Sequence, residues 1–215
     1  MKVAIIGTGN VGTALGGSFA GAGHEVTFAA RDAGKTQRLA AIVGASAVAT
    51  PLEAAAVAEI IVLAVPYIEA MQIAHEISGS TAGKILVDAT NPLRPDYSGL
   101  STDGGPSGAE RIATVAGSAR VVKAFNTLFA SVQANPGLNG QTADALIAGD
   151  DPDAKAVVAE LASSIGLRPI DAGPLTGARE LEALAWLNIA LQMRIGGNWS
   201  SSFVLLGAPD KAIAA

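Results

Sequence analysis

The chain has 215 residues, 50% of them hydrophobic and 15% charged, with a formal net charge of −5. This composition supports one substantial core, and the acid excess without any Lys/Arg block excludes the basic footprint that nucleic acid requires. Cysteine is absent, which removes disulfide and thiolate chemistry, and apolar runs such as "IIVLAV" fall far short of the ~20 residues that span a membrane. The opening "MKVAIIG" reaches a glycine too early for a signal-peptide core, so a cytoplasmic location is expected.

Short β-branched runs alternate with Ala-rich stretches: "KVAIIG", "HEVTFAA", "ASAVAT", "EIIVLAV", "KILVDAT", "RVVKAFN", "ADALIAG" and "RPIDAG". This alternation predicts an α/β fold with a doubly wound, mostly parallel sheet of about eight strands. The runs are apolar at nearly every position, as expected of strands covered by helices on both faces.

The first run leads directly into "GTGNVG", Gly7 to Gly12, a G-x-G-x-x-G that opens a helix. In that context the motif predicts a Rossmann-type dinucleotide site. Gly7 makes the tight turn, Gly9 admits the pyrophosphate and Gly12 lets the helix pack on the strand, with Thr8, Asn10 and Val11 between them. Free N–H groups at the helix N-terminus hold the phosphates.

The second run ends at Ala30 and is followed by Arg31. Asp32 lies twenty residues beyond Gly12, near the spacing of an NAD-selecting acid, but it falls after the strand and is expected to cap the next helix. Arg31, helped by Lys35, can bind a 2′-phosphate and so argues for NADP(H); the alternative is that both are solvated surface cations. At the end of the fourth run, Ala64, Val65 and Pro66 are placed to flank the ribose and nicotinamide. Thr90, Asn91 and Asn126 follow at later strand ends, where their polar groups suit a carboxamide or an acceptor ring, or simply cap the strands.

Between "VDAT" and the helix near Glu110 runs "NPLRPDYSGLSTDGGPSG", a loop expected to cover the active site, or else to decorate the surface. Residues 175–196 read as one long helix carrying Leu181, Leu184, Leu187, Leu191 and Ile195, with Ala185, Ile189 and Met193 on a second apolar face. A helix so apolar is buried in the domain or in a homodimer. Residues 1–126 are read as the nucleotide-binding core, and 127–215 as an extension of the sheet plus this helix, packed with the core as one unit.

Proton-transfer groups are scarce. His24 falls in the turn opposite the strand ends and His75 on a covering helix. Lys123 is the one contender, as a strand lysine whose pKa burial would lower. No His, Cys or acid cluster has metal-ligand spacing. An acceptor that brings its own redox chemistry, a flavin or deazaflavin, needs only alignment with the nicotinamide and no catalytic side chain. Two other readings stay open: a carbonyl or imine reductase using Lys123 as its acid, and a non-catalytic NADP(H) sensor with a protein partner.

The segments "MKVAIIGTGNVG", "GHEVTFAARDAGK", "AVP", "VVKAFNTL", "AGDD" and "RPIDAGPLTGARELEAL" resemble the NADP oxidoreductases that use coenzyme F420, over nearly the whole chain. The chain is also similar to the STEAP metalloreductases, one domain of which passes hydride from NADPH to a flavin. The resemblance implies NADP(H) on Gly7 to Gly12, Arg31, Lys35 and Ala64-Val65-Pro66. It further implies coenzyme F420 or a flavin as second substrate near Asn126, Ser107 and Arg179. The chain departs from the coenzyme F420 pattern at Asn126, where a His is expected, at Ala183 and Ala185, where hydroxyl residues are expected, and in the tail "GGNWSSSFVLLG", where Trp199 and Phe203 offer rings to stack on an acceptor.

Overall fold

The computed structural model describes residues 1–207; residues 208–215 of the expected C-terminal extension lie outside the described residues. The chain runs β1 (Lys2–Ile6), α1 (Asn10–Gly21), β2 (Glu25–Ala29), α2 (Ala33–Val43), β3 (Ser46–Val48), α3 (Pro51–Val57), β4 (Ile60–Leu63) and α4 (Tyr67–Glu76). It continues through β5 (Ile85–Asp88), α5 (Gly108–Val115), β6 (Arg120–Lys123), α6 (Ala130–Ala134) and a two-residue hairpin pair, β7 (Gly137–Leu138) and β8 (Gln141–Thr142). The last elements are β9 (Asp144–Gly149), α7 (Pro152–Ser164), β10 (Arg168–Asp171) and α8 (Ala178–Ile195), the last preceded by a 3₁₀ turn at Leu175–Gly177.

All eight runs picked out in the sequence are strands of one sheet, in the order β10-β9-β6-β5-β4-β1-β2-β3. Every neighbouring pair is parallel except β6 with β9, where Val122 faces Gly149. Strand order reverses between β1 and β4, so the connections after these two strands part to opposite sides and leave a crevice at their carboxyl ends.

The sheet is apolar on both faces because helices cover both. Val3 and Ile5 of β1 pack into one core with Leu15 and Phe19 of α1, Val132 of α6 and Leu161 of α7. Ala4 and Ile6, pointing the other way, join Ala54 of α3, Ala70 and Ala74 of α4 and Ile112 of α5. Alternate residues of one strand thus feed two cores, which is why no polar alternation marks these strands.

Within the chain, α8 buries a largely polar stripe. Leu181 and Ala185 are buried, but the inward stripe continues with Glu182, Asn188 and Gln192, while Leu187, Leu191, Met193 and Ile195 are exposed. The reason is polar. Glu182 is held by the N-terminus of α5, and Asn188 and Gln192 bind the chain after α8, which folds back along it. Each buried polar group has a partner waiting, so facing them inward costs little.

Candidate functional site

Gly7 lies at φ 114°, a conformation that side chains rarely adopt, and a Cβ there would run into the Ala64 carbonyl at the end of β4. Its N–H donates to the Ala29 carbonyl at 2.8 Å, and Ala64 N donates to Ile6 O at 2.9 Å, so the turn is threaded between the ends of β2 and β4. A Cβ on Gly12 would strike the Gly7 carbonyl, whereas one on Gly9 would meet only open space. Close packing therefore constrains Gly7 and Gly12, and Gly9 leaves its face free for a ligand. α1 starts at Gly9 without a side-chain cap, which leaves first-turn N–H groups available to an anion.

Two cavities flank this turn and share Thr8, Gly9 and Lys35 in their walls. The smaller, about 630 Å³, is lined by Ala30, Arg31 and Asp32 beyond β2, by Ala64, Val65 and Pro66 beyond β4, and by one face of α4. Asp32 caps α2, accepting from Lys35 N at 2.9 Å, while Arg31 is exposed at the cavity edge. The chain leaves β2 through Ala30, so the residue just beyond the strand is not an acid, and the Arg31 guanidinium follows at the cavity mouth, 3.2 Å from Glu69.

The larger cavity, about 880 Å³, opens on the other side of the glycine turn. Asn91 follows β5, and Asn126 and Thr127 follow β6, all at its wall. Phe125, fully buried, takes φ 65° and edges against Phe19 with ring centroids 5.9 Å apart. This left-handed kink turns the chain abruptly at the end of β6 and carries Asn126 back to Asn91. Asn126 Nδ2 donates to Asn91 Oδ1 at 3.0 Å and to the Leu181 carbonyl at 3.1 Å; Asn91 Nδ2 donates to the Asn126 carbonyl at 2.9 Å. The two asparagines lock each other and tie both strand ends to α8. Asn126 Oδ1 is buried with no protein partner.

The far wall comes from α6, from Ala185 and Ile189 of α8, and from Asn198 and Trp199 beyond it. The Ser131 hydroxyl donates to the Trp199 carbonyl at 2.6 Å, Trp199 N donates to Gln192 Oε1 at 3.0 Å, and the indole meets Phe129 edge-on at 5.4 Å. Phe129 and Trp199 form an aromatic corner of the cavity. Lys35 is the one ionisable side chain among the described residues lining it.

Several residues singled out in the sequence lie elsewhere. Ser107 is buried as the N-cap of α5, bonded to Glu110 on both its amide and its hydroxyl. Arg179 grips the same Glu110 through two contacts of 2.8 and 2.6 Å. These bonds, Arg179's foremost, lower the Glu110 carboxyl to a pKa of about 2. Neither Ser107 nor Arg179 lines either of these two cavities, and neither does Phe203. The Thr90 hydroxyl is buried without a partner, and it too is off both walls.

The long loop also lines neither cavity beyond Asn91. It closes on itself through a Leu93–Leu100 bridge and an Arg94–Asp103 ion pair of 2.5 Å, and Arg111 of α5 hooks it at the Thr102 carbonyl. Its polar groups find partners inside the loop and on α5, so the cover expected over the crevice is not there.

Lys123 requires a correction. It is fully buried, with Nζ bound to Asp88 at 2.8 Å, to the Thr90 carbonyl at 2.7 Å and to Glu182 at 2.9 Å. Burial alone would depress its pKa, but the two carboxylates outweigh that and hold it above the ordinary lysine value. A lysine so held keeps its proton and is not a general acid for a bound substrate. His24 bonds Ser164 at the opposite edge of the sheet, and His75 is on the surface; both are outside the cavities, as expected.

Residues that the sequence did not disclose include Phe129, Ser131, Asn198 and Glu69. Ser131 belongs to a five-residue helix too short to show periodicity, Phe129 is the N-cap just before it, and Asn198 depends on the return path of the tail. Glu69 alone had a local signal, standing three residues past Pro66 on the helix that leaves β4.

The chain matches the family described as "NADP oxidoreductase coenzyme F420-dependent" over residues 2–92. It is 37% identical over 212 residues to an F420-dependent NADP reductase of Methanothermobacter thermautotrophicus, covering 90% of each chain. It is 34% identical over 184 residues to the rat metalloreductase STEAP3, covering 85% of this chain and 36% of that protein. A solved structure from Arthrobacter, titled a putative F420-dependent NADP reductase, superimposes with a TM-score of 0.84 at 33% identity, covering 95% of this chain and 99% of that one. With the glycine turn, Arg31 beyond β2 and the two-lobed crevice in place, these likenesses show that the chain belongs to the coenzyme F420-dependent NADP oxidoreductase family.

Proposed function

We propose that this chain transfers a hydride between NADP(H) and coenzyme F420, with NADP(H) across the glycine turn and the deazaflavin in the larger lobe. The observation that carries this reading is that two cavities flank the glycine turn and share Thr8, Gly9 and Lys35 in their walls. Such a crevice fits one extended nucleotide and leaves room for a second ring beside its far end.

The free N–H groups of α1 hold the pyrophosphate, and Gly9 lets it approach. Arg31 and Lys35 bind the 2′-phosphate, and Ala64, Val65 and Pro66 bound the ribose beside them. The Asn91–Asn126 pair fixes the ends of β5 and β6 against the nicotinamide. Phe129 and Trp199 face the acceptor ring and, with Ala185 and Ile189, keep water from it. Ser107 and Arg179 act through Glu110 by seating α5 against α8, which walls that lobe. When bound, the two cofactors supply the redox chemistry between them. The protein contributes alignment, so a lobe whose one ionisable side chain is Lys35 suits the reaction.

Residues 1–126 bind the nucleotide and 127–215 complete the acceptor side. The enzyme works in the cytoplasm as a homodimer that covers the exposed apolar residues of α8. Stopped-flow oxidation of NADPH with coenzyme F420, FMN or riboflavin, and NADH as control donor, tests the reading. NADPH-selective reduction of coenzyme F420 is expected. Reaction with flavins alone shifts the acceptor to a flavin, and no reaction with any of the three sinks it.

A further inference from the structure

The smaller lobe holds a carboxylate where an anion should bind. Glu69, in the first turn of α4, places Oε1 at 3.2 Å from Arg31 Nη2. The Arg31 side chain is 87% exposed and that of Glu69 32%, so the pair spans the mouth of the cavity. Glu69, Gln72, Ile73 and Glu76 recur at helical spacing, and all four line this lobe. Its ionisable lining is Arg31 and Lys35 against Asp32, Glu69 and Glu76. Asp32 caps α2 at the same wall, so two cations face three acidic side chains. That balance suits a dianionic phosphate only if a carboxylate gives way.

We infer that Glu69 is a specificity-determining residue: it holds Arg31 as an internal counter-ion, and a 2′-phosphate must displace it to bind. The inference rests on the assignment of Arg31 to the 2′-phosphate made above. An exposed pair is weak enough to be displaced. A 2′-hydroxyl has no charge with which to compete, so the displacement is demanded of NADP(H) and not of NAD(H). Glu69 therefore lowers affinity for the phosphorylated cofactor alone, and it stands ready to retake Arg31 when that cofactor leaves.

Calorimetric titration of the whole chain with adenosine 2′,5′-bisphosphate and with adenosine 5′-monophosphate tests this. Glu69→Gln is expected to tighten the bisphosphate about two- to fivefold at low salt and to leave the monophosphate unchanged. The gain should shrink at high ionic strength and vanish in an Arg31→Ala background, because the competition acts through the guanidinium. Unchanged or weaker bisphosphate binding in Glu69→Gln overturns the proposal. So does equal tightening of both probes, or a gain that survives Arg31→Ala. The underlying assignment fails separately: Arg31→Ala would then weaken both probes alike, or neither.

Discussion

Arg31 and Lys123 are both cations near strand ends, and their surroundings give them opposite roles. Arg31 stands in solvent at a cavity edge, just past the Ala30 that ends the second strand run. Arg31→Asp should weaken NADPH about 10- to 100-fold through a lost charge-assisted contact and an added repulsion, while NADH changes little. Parallel fluorescence titrations with the two cofactors check this, and an equal loss for both would displace the 2′-phosphate from Arg31. Lys123 is sealed between Asp88 and Glu182. Lys123→Met strands two buried carboxylates and is expected to cost about 3–5 kcal/mol of stability, measured by urea denaturation. Full stability with a collapse of hydride transfer would instead restore Lys123 as an acid. Sequence alone did not disclose the role of Lys123, because its partners, Asp88 and Glu182, lie 35 and 59 residues away.

Element by element, what was legible followed the length and regularity of the apolar pattern. All eight strand runs were readable, the inner ones because burial on both faces makes them continuous. The hairpin of β7 and β8 and the five-residue α6 were not, since neither is long enough to show a period. α8 was readable as a helix but not in its orientation, which follows its buried polar residues and not its leucines. Its first turn is pinned to α5 by the Arg179–Glu110 pair, and this bond has a pH signature. Glu110 sits at about 2 in the fold and near 4.5 when unpaired, so its contribution is complete above 4.5 and is lost as pH falls toward 2. Arg179 is half exposed, so the expected effect is small: Arg179→Ala should lower stability only slightly at neutral pH. The difference between variant and wild type should narrow as pH falls below 4.5 and close near pH 2, as thermal melts across that range would show.

At the scale of the whole molecule, the apolar residues left outside need an occupant. Leu187, Leu191, Met193 and Ile195 are all exposed along α8. If they meet in a homodimer, Leu191→Glu should shift the sedimentation coefficient from dimer to monomer at micromolar concentration and leave the fold intact. A wild-type chain that sediments as a monomer would remove the dimer. The tail crosses from α8 to the sheet edge, where Leu205 bonds Asp144 and Arg168, so the wall carrying Trp199 is fixed at both ends.

By itself the sequence determined the fold class, the nucleotide turn and the preference for NADP(H). The first two are encoded locally, in continuous apolar runs and in glycines at a turn where Gly7 and Gly12 leave no room for a side chain. Only the tertiary structure decided that Lys123 is a buried ion-pair partner, that the long loop stands clear of the crevice, and that Trp199, Phe129 and Glu69 line it. Those facts depend on contacts between residues far apart in the chain, where burial and charge are set by neighbours that no local pattern specifies.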